Sequence, residues 1–324
     1  MASWSSVLQA IIKSPAERQR LSAALGVSTV TLSRWANGDS RPQRSHLVHL
    51  VNSVHANNRQ ELIDALELQY PEIQAWIKDT PEQIPPHFFA HILHLRTTTT
   101  DSQRFWRISE VVLKQALEQL DPNGLGMAVK LVQCMPPATP GGRVRSLRER
   151  TGRGTPPWTA DLEHDVLFLG LESLSGRTVE ERHVQNEADL TARTSRTYVR
   201  DDYEMSAAAH PICLEGKVAG CLLASSTQLE FFSQQRLSLL ATFSHLLSLA
   251  LDKQDFYDPR QISLRPMPPP QVQRPILASF RQRVTKNSQK AMHQKLQLTN
   301  SQIELQTWQE LESELLEMPL PQFE

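Results

Sequence analysis

The sequence predicts a multidomain chain: an all-α amino-terminal domain, an α+β domain with an antiparallel sheet flanked by helices, and a long helix at the carboxyl end. Three observations predict this. Residues 3 to about 77 alternate helical apolar periodicity with short turns and contain no strand-like run. Between about 102 and 255, helical stretches alternate with strand-like GMAVKLVQCM, GRVRSLRERTG and the turn-centred YEMSAAAHPICLEGKVAGCLLASST. Residues 276–318 keep a helical pattern throughout. The domains expected are 1–78, a linker with a short helix at 79–102, 103–255, a Pro-rich linker at 256–275, and the terminal helix at 276–318.

Length and composition bound the function. A chain of 324 residues is about two domains long. With 40% apolar and 21% charged residues it belongs to the globular class. A net charge of −1 excludes binding of nucleic acid by the molecule as a whole, so any such role needs a local patch. The first twenty residues lack a basic leader and a small-residue cleavage site. The longest apolar run, Leu237 to Leu251, is interrupted by His245 and is too short to span a bilayer. Three cysteines, Cys134, Cys213 and Cys221, read as reduced thiols. The expectation is a cytoplasmic chain without a membrane partner.

In the first domain, AERQRLSAALGVSTVTLSRWANG places Leu21, Leu25, Val27, Leu32 and Trp35 at helical spacing on either side of Gly26. Gly26 supplies the backbone freedom of a sharp turn, and Ser28 stands where a hydroxyl caps the second helix. With the apolar positions turned inward, Thr29, Thr31, Ser33 and Arg34 point elsewhere. Residues 1–55 carry six basic side chains (Lys13, Arg18, Arg20, Arg34, Arg41, Arg44) against two acidic ones (Glu17, Asp39), a net charge of +4. On these residues, with Pro42 and HLVHLVNSV behind them, the stretch from about Pro15 to Val54 resembles the phage-repressor-like (Xre-type) helix-turn-helix. The resemblance implies that Thr29 to Ala36 is a recognition helix for the major groove of double-stranded DNA. Ser28, Thr29, Thr31, Ser33, Arg34 and Asn37 would make contacts there, with Arg41 and Arg44 as phosphate partners. A helical bundle used for protein contact is the other reading of this block.

The middle domain reads as a leading helix, FWRISEVVLKQALEQL, two strands, a crossover helix DLEHDVLFLGLESLSG, a hairpin turning at Glu215-Gly216, and an amphipathic closing helix with Leu237, Leu240, Phe243, Leu247 and Leu251 near one stripe. Through VRSLRERTGRGTPPW, HPICLEGKVAGCLLASS and the closing helix, residues from about Phe105 to Lys253 resemble a GAF domain. The resemblance implies a small-ligand sensor or a dimerisation module, a choice the fold leaves open. No cysteine has the following His of bilin-attaching relatives, and the cyclic-nucleotide signature is absent. The cofactor is therefore unknown. A GAF-fold methionine-sulfoxide reductase needs cysteines near enough to exchange disulfides. With a two-residue turn, Cys213 lies opposite Val218 and Cys221 emerges on the other face; with a three-residue turn the two share a face.

Two further clusters carry candidate chemistry. Arg148 and Arg150, with Arg153, are candidates for an anion pocket walled by Trp158, or else form a solvated strand face. His87, His91 and His94 share one helix face at i, i+4 and i+7, a spacing that can clamp zinc. No Glu stands between them to act as a base, and the alternative is a polar linker-helix face with Phe88, Ile92 and Leu95 packed inward. No metal is expected.

In the tail, Arg274, Arg281, Arg283, Lys286, Lys290 and Lys295 precede Glu304, Glu310, Glu312, Glu314, Glu317 and Glu324. That order opposes the helix dipole, so a complementary partner is needed, an antiparallel copy of the segment being the simplest. Docking onto the middle domain or DNA, or a solvated helix, are the alternatives. The functional expectation is a non-enzymatic transcription regulator. A homodimer would read an inverted repeat, with or without a small-molecule effector. An interaction adaptor and a GAF-fold thiol enzyme remain as rivals.

Overall fold

The computed structural model describes residues 3–74, 84–163, 166–191 and 201–318, with backbone alone at 44, 45, 49, 52, 56 and 57. Five helices build the amino-terminal unit: α1 (Trp4–Ile11), α2 (Pro15–Leu25), α3 (Thr29–Asn37), α4 (Arg44–Ser53) and α5 (Ala56–Glu67). Trp4, Leu8, Leu21, Leu25, Leu32, Trp35, Leu47, Leu50, Leu62 and Leu66 form their shared core. Trp4 donates its indole N–H to Gln69 across this core at 2.8 Å, which holds α1 against the end of α5.

The next unit is a six-stranded antiparallel sheet in the order β3-β2-β1-β6-β5-β4. Its strands are β1 (Met127–Cys134), β2 (Leu147–Gly154), β3 (Phe168–Leu169), β4 (Gln185–Glu187), β5 (Ser206–Leu214) and β6 (Lys217–Ser226). One face packs against α6 (Pro86–Thr98), α7 (Asp101–Leu120) and α9 (Gln234–Leu247) through Ile92, Ile108, Val112, Leu131, Leu222 and Phe243. The other face is covered by α8 (Leu174–Glu181) over Val132, Cys134, Leu147, Val218 and Cys221. Helices on both faces of an antiparallel sheet make this an α+β layer fold.

Several elements depart from the sequence reading. The helix placed inside the first linker belongs to the α+β core, because Phe88 and Ile92 of α6 are buried in it. The apolar run expected to open the crossover helix is instead strand β3, and α8 begins only after the Ser173 cap, whose hydroxyl accepts from Gly176 N–H at 2.9 Å. A short run of VLFLGL has no period to separate a buried strand from a helix. The Pro-rich segment is no free spacer: Val144 pairs with Ile262, Val218 pairs with Tyr257, and Leu264 and Met267 are buried.

The long carboxyl-terminal helix is in fact three helices, α10 (Pro270–Leu277), α11 (Phe280–His293) and α12 (Asn300–Leu316). The chain reverses between His293 and Asn300, so the basic half lies against the acidic half of the same segment. Arg283 pairs with Glu314 at 2.7 Å, and Asn287 donates to Glu310 at 3.0 Å and to Thr307 at 3.1 Å. The antiparallel complement required by the dipole is thus intramolecular. Among the described residues no helix is long and apolar enough to cross a membrane.

Candidate functional site

The connection between α2 and α3 is three residues long. Gly26 takes a left-handed conformation (φ 63°), its N–H bonded to Ala23 O and the next N–H, of Val27, bonded to Ser22 O at 3.1 Å. This closes α2 with the paired carbonyl bonds that a glycine terminus permits. Ser28 then caps α3, accepting from Thr31 N–H at 3.1 Å. Leu32, Trp35 and Ala36 are buried, fixing α3 on its core, while Thr29, Val30, Arg34 and Asn37 are exposed along the opposite side.

The eight sequence-predicted DNA contacts do not stand alike. Thr29, Arg34, Asn37 and Arg41 are exposed. Ser28 and Thr31 share a hydroxyl–hydroxyl contact of 2.9 Å within the cap, and the half-buried Ser33 hydroxyl donates to Thr29 O at 2.9 Å. These three hydroxyls are engaged with the helix itself, though each keeps acceptor capacity. The Arg44 side chain lies outside the described residues. The sequence reading omitted Val30, which is 66% exposed in the middle of the outward face. Its signal was available, since it occupies the helix side opposite Leu32 and Trp35.

Behind α3 the charge is partly tied down. Glu17 binds Arg20 and lies 3.4 Å from His55, and Arg20 also donates to Ser53 O at 2.8 Å. The Arg20 hydrogen bond holds the Glu17 carboxyl below its ordinary range despite opposing burial. This clamp ties α2 to the end of α4. A cleft of about 620 Å³ adjoins it, lined by Arg20, Gly26 and His46 on one side and Pro156, Tyr203 and Thr227 on the other. That volume is within the range of small-molecule sites.

Beneath α8 a second polar site lies inside the α+β unit. Lys130 on β1 approaches Glu149 on β2 at 3.0 Å and Asp201 at 3.9 Å, both its own and the Glu149 side chain being 7% exposed. Burial by itself lowers the Lys130 ammonium, but Glu149, Asp201 and Glu204 outweigh it and raise the group above its usual value. Burial raises the Glu204 carboxyl, with Lys130 opposing. Trp158 donates its indole N–H to Asp201 at 3.2 Å. The adjoining cavity is only about 40 Å³, little more than room for water. Sequence reading missed this cluster because its members come from three distant segments.

The weaker candidates separate. Trp158 belongs with Asp201 and Tyr203, whereas Arg148 lies under Trp308 and Arg150 under Phe105. The structure does not bring Trp158 to the two arginines. His87, His91 and His94 are exposed on α6, and among the described residues no three His, Cys, Asp or Glu side chains gather as a metal would require.

The thiols are closer together than the two-residue turn predicted. Cys213 does lie opposite Val218, but the pairing jumps from Ile212↔Gly220 to Cys213↔Val218 and leaves Ala219 as an extra residue. This bulge reverses the alternation, so Cys221 packs in the same cluster as Cys213 and Cys134. Burial pushes the Cys221 thiol up to about 12 and also raises Cys134 and Cys213. Thiols so placed are protonated and poorly nucleophilic.

No protein-family model matches the chain, and no curated protein matches it in sequence. Solved structures do. The type II free methionine-R-sulfoxide reductase of Thermoplasma acidophilum matches at 15% identity over 47% of this chain and 99% of its own, with a TM-score of 0.33. The GAF domain of the Acinetobacter phosphoenolpyruvate-protein phosphotransferase matches at 16% identity over 47% and 93%, TM-score 0.32. The Staphylococcus aureus free methionine-R-sulfoxide reductase, solved in complex with substrate, matches at 15% over 50% and 95%, TM-score 0.29. GAF domains are therefore among the neighbours of the α+β unit, and likenesses this distant carry nothing about its chemistry.

Proposed function

We propose that the chain is a sequence-specific transcription regulator that reads double-stranded DNA with α3 and uses its GAF-like unit to pair subunits and to sense a small effector. The supporting observation is the division of α3. Its apolar side is buried through Leu32, Trp35 and Ala36, and Thr29, Val30, Arg34 and Asn37 protrude from a unit whose first 55 residues carry +4, its acids being concentrated in and after α5. A short capped helix with exposed hydroxyl, amide and guanidinium groups suits a major groove, where arginine can pair with guanine edges. The cleft beside Gly26 is lined by both α2 and the α+β unit, which supports an effector acting there by favouring one arrangement of the two.

The test begins with selection of bound fragments from genomic DNA, followed by gel-shift titration of Arg34→Ala. The variant is expected to lose about 1–3 kcal/mol of specific binding and to relax preference at one base pair. Unchanged affinity and preference overturn the assignment of Arg34. Binding that is absent, or indifferent to salt, would point to a protein-interaction adaptor, since phosphate contacts weaken steeply as salt rises. The thiol-enzyme alternative has against it the raised, protonated state of all three cysteines.

A further inference from the structure

Two arginines on β2, Arg148 buried and Arg150 half-buried, hold buried guanidinium nitrogens without hydrogen-bond partners. Arg148 is 5% exposed, and its Nη1 has no hydrogen-bond partner; Nε of Arg150 is buried in the same condition. Among the described residues neither guanidinium forms an ion pair. Aromatic rings are their nearest company. The Trp308 ring centroid lies 4.4 Å from Cζ of Arg148, Phe105 lies 4.9 Å from Cζ of Arg150, and Trp106 lies 6.0 Å from it. Trp308 is itself stacked on Phe280 at 3.9 Å and meets Phe168 edge-on at 5.9 Å, so its position is fixed by the carboxyl-terminal hairpin.

Stacked rings cover the faces of a guanidinium, but its N–H donors point along the edge, where a ring face accepts little. The donors therefore remain to be satisfied. Burial lowers both groups, and Arg150 further lowers Arg148. Glu304 favours the charged form of both, and Asp255 that of Arg150, yet neither carboxylate closes to an ion pair. Glu304 and Trp106 are exposed and mark where the site meets solvent.

We propose that Arg148 and Arg150, roofed by Trp308 and Phe105, form a binding site for a phosphate-type oxyanion between α7 and α12. The open N–H donors, Nη1 of Arg148 and Nε of Arg150, are of the kind that phosphate oxygens accept, and the two groups already repel each other. The anion neutralises two like charges and secures Trp308, and with it the hairpin, against the sheet. The site uses no residue of α3 and does not depend on DNA binding.

The full-length protein is titrated with inorganic phosphate, and separately with malonate, against chloride at equal ionic strength. Tryptophan emission and Tm are followed. Phosphate is expected to give a saturable emission change and a Tm rise of about 3–8 °C at one hundred times its Kd. Arg148→Met and Arg150→Met, which replace a buried and a half-buried cation by an apolar chain of similar reach, should each bind at least about tenfold more weakly. Glu304→Gln, at an exposed position where folding is not at stake, removes a competing carboxylate and should tighten phosphate about two- to fivefold. Absence of a saturable response, or a response that none of the three variants changes, overturns the site. Tighter binding of malonate than of phosphate overturns the choice of ligand.

Discussion

Val30 shows what a single side chain adds to the proposed readout. An apolar residue that is 66% exposed on an otherwise polar helix face has no folding role there. In a major groove it meets the thymine methyl group, the one apolar feature of the base edges. Val30→Ser should therefore lose about 1 kcal/mol at an operator position occupied by thymine, by the loss of one or two buried methyl contacts. Gel shifts on an operator with uracil at that position give the check: the difference between wild type and variant should disappear, and its persistence would mean that Val30 faces something else. Glu204 supports a prediction about pH. Its carboxyl is raised in the folded chain by burial, so between the ordinary carboxylate range and its folded value the native state holds a proton that the unfolded chain has released. Stability then falls as pH rises through that window and stays reduced above it. Glu204→Gln carries no such charge, so its advantage over wild type should be nil below about pH 4, grow with pH, and level off. Melts from pH 4 to 8 measure it; an advantage already full at pH 4 would place its cause in packing.

At the scale of elements, the α2–α3 connection rests on one backbone conformation. A Cβ added at Gly26 meets nothing within 4 Å, so Gly26→Ala tests the left-handed φ alone. The cost should be about 1 kcal/mol, seen as roughly fivefold lower hydrogen-exchange protection in α2 and α3. The carboxyl-terminal hairpin has an analogous fixing point. Glu312 is 1% exposed and accepts from Arg145 at 3.0 Å and from Ser146 at 2.8 Å. Glu312→Ala leaves Ser146 without its acceptor and Arg145 with only Ser313 Oγ at 3.1 Å, and should cost about 2 kcal/mol, discounted from the fully buried case because Arg145 is one-third exposed. Limited proteolysis should then cut first between His293 and Asn300. What the sequence disclosed follows the range of the forces. The α2 stop, the Ser28 cap and the β5–β6 hairpin are local, the last because Glu215 and Gly216 both take positive φ (51° and 78°) as a two-residue turn demands. The Ala219 bulge, strand β3 and the reversal after His293 are set by tertiary packing. The reversal has no glycine or proline to announce it, and Lys295 supplies its positive φ (53°). The Lys130–Glu149–Asp201–Glu204 cluster was illegible for the same reason: nothing in a linear pattern joins β1, β2 and the segment before β5.

For the molecule as a whole, the proposed DNA reading rests on a local basic patch in a near-neutral chain. The amino-terminal 55 residues carry +4 within a chain of net −1, so the remainder is acidic, α5 of the same helical unit included with Glu61, Asp64 and Glu67 against Arg59. One such patch, with an α3 of nine residues, offers few contacts, and a single unit should bind weakly. On the proposed pairing, two units joined through the α+β domains would multiply affinity without new contacts, because the second association is intramolecular. In such a pair, two-fold symmetry would set the two copies of α3 about 34 Å apart, one turn of the duplex, so the expected operator is an inverted repeat. An operator with both half-sites ought then to bind about 10²- to 10⁴-fold more tightly than one half-site. Inserting five base pairs between the half-sites rotates one to the far side of the duplex and should remove that gain. The salt slope adds an independent measure, since log K falls by about 0.9 per phosphate neutralised and the paired complex should show nearly twice the slope of a half-site complex. Equal affinity for half and full operators, with equal slopes, would show that one subunit reads DNA alone and that the α+β unit serves some purpose other than pairing.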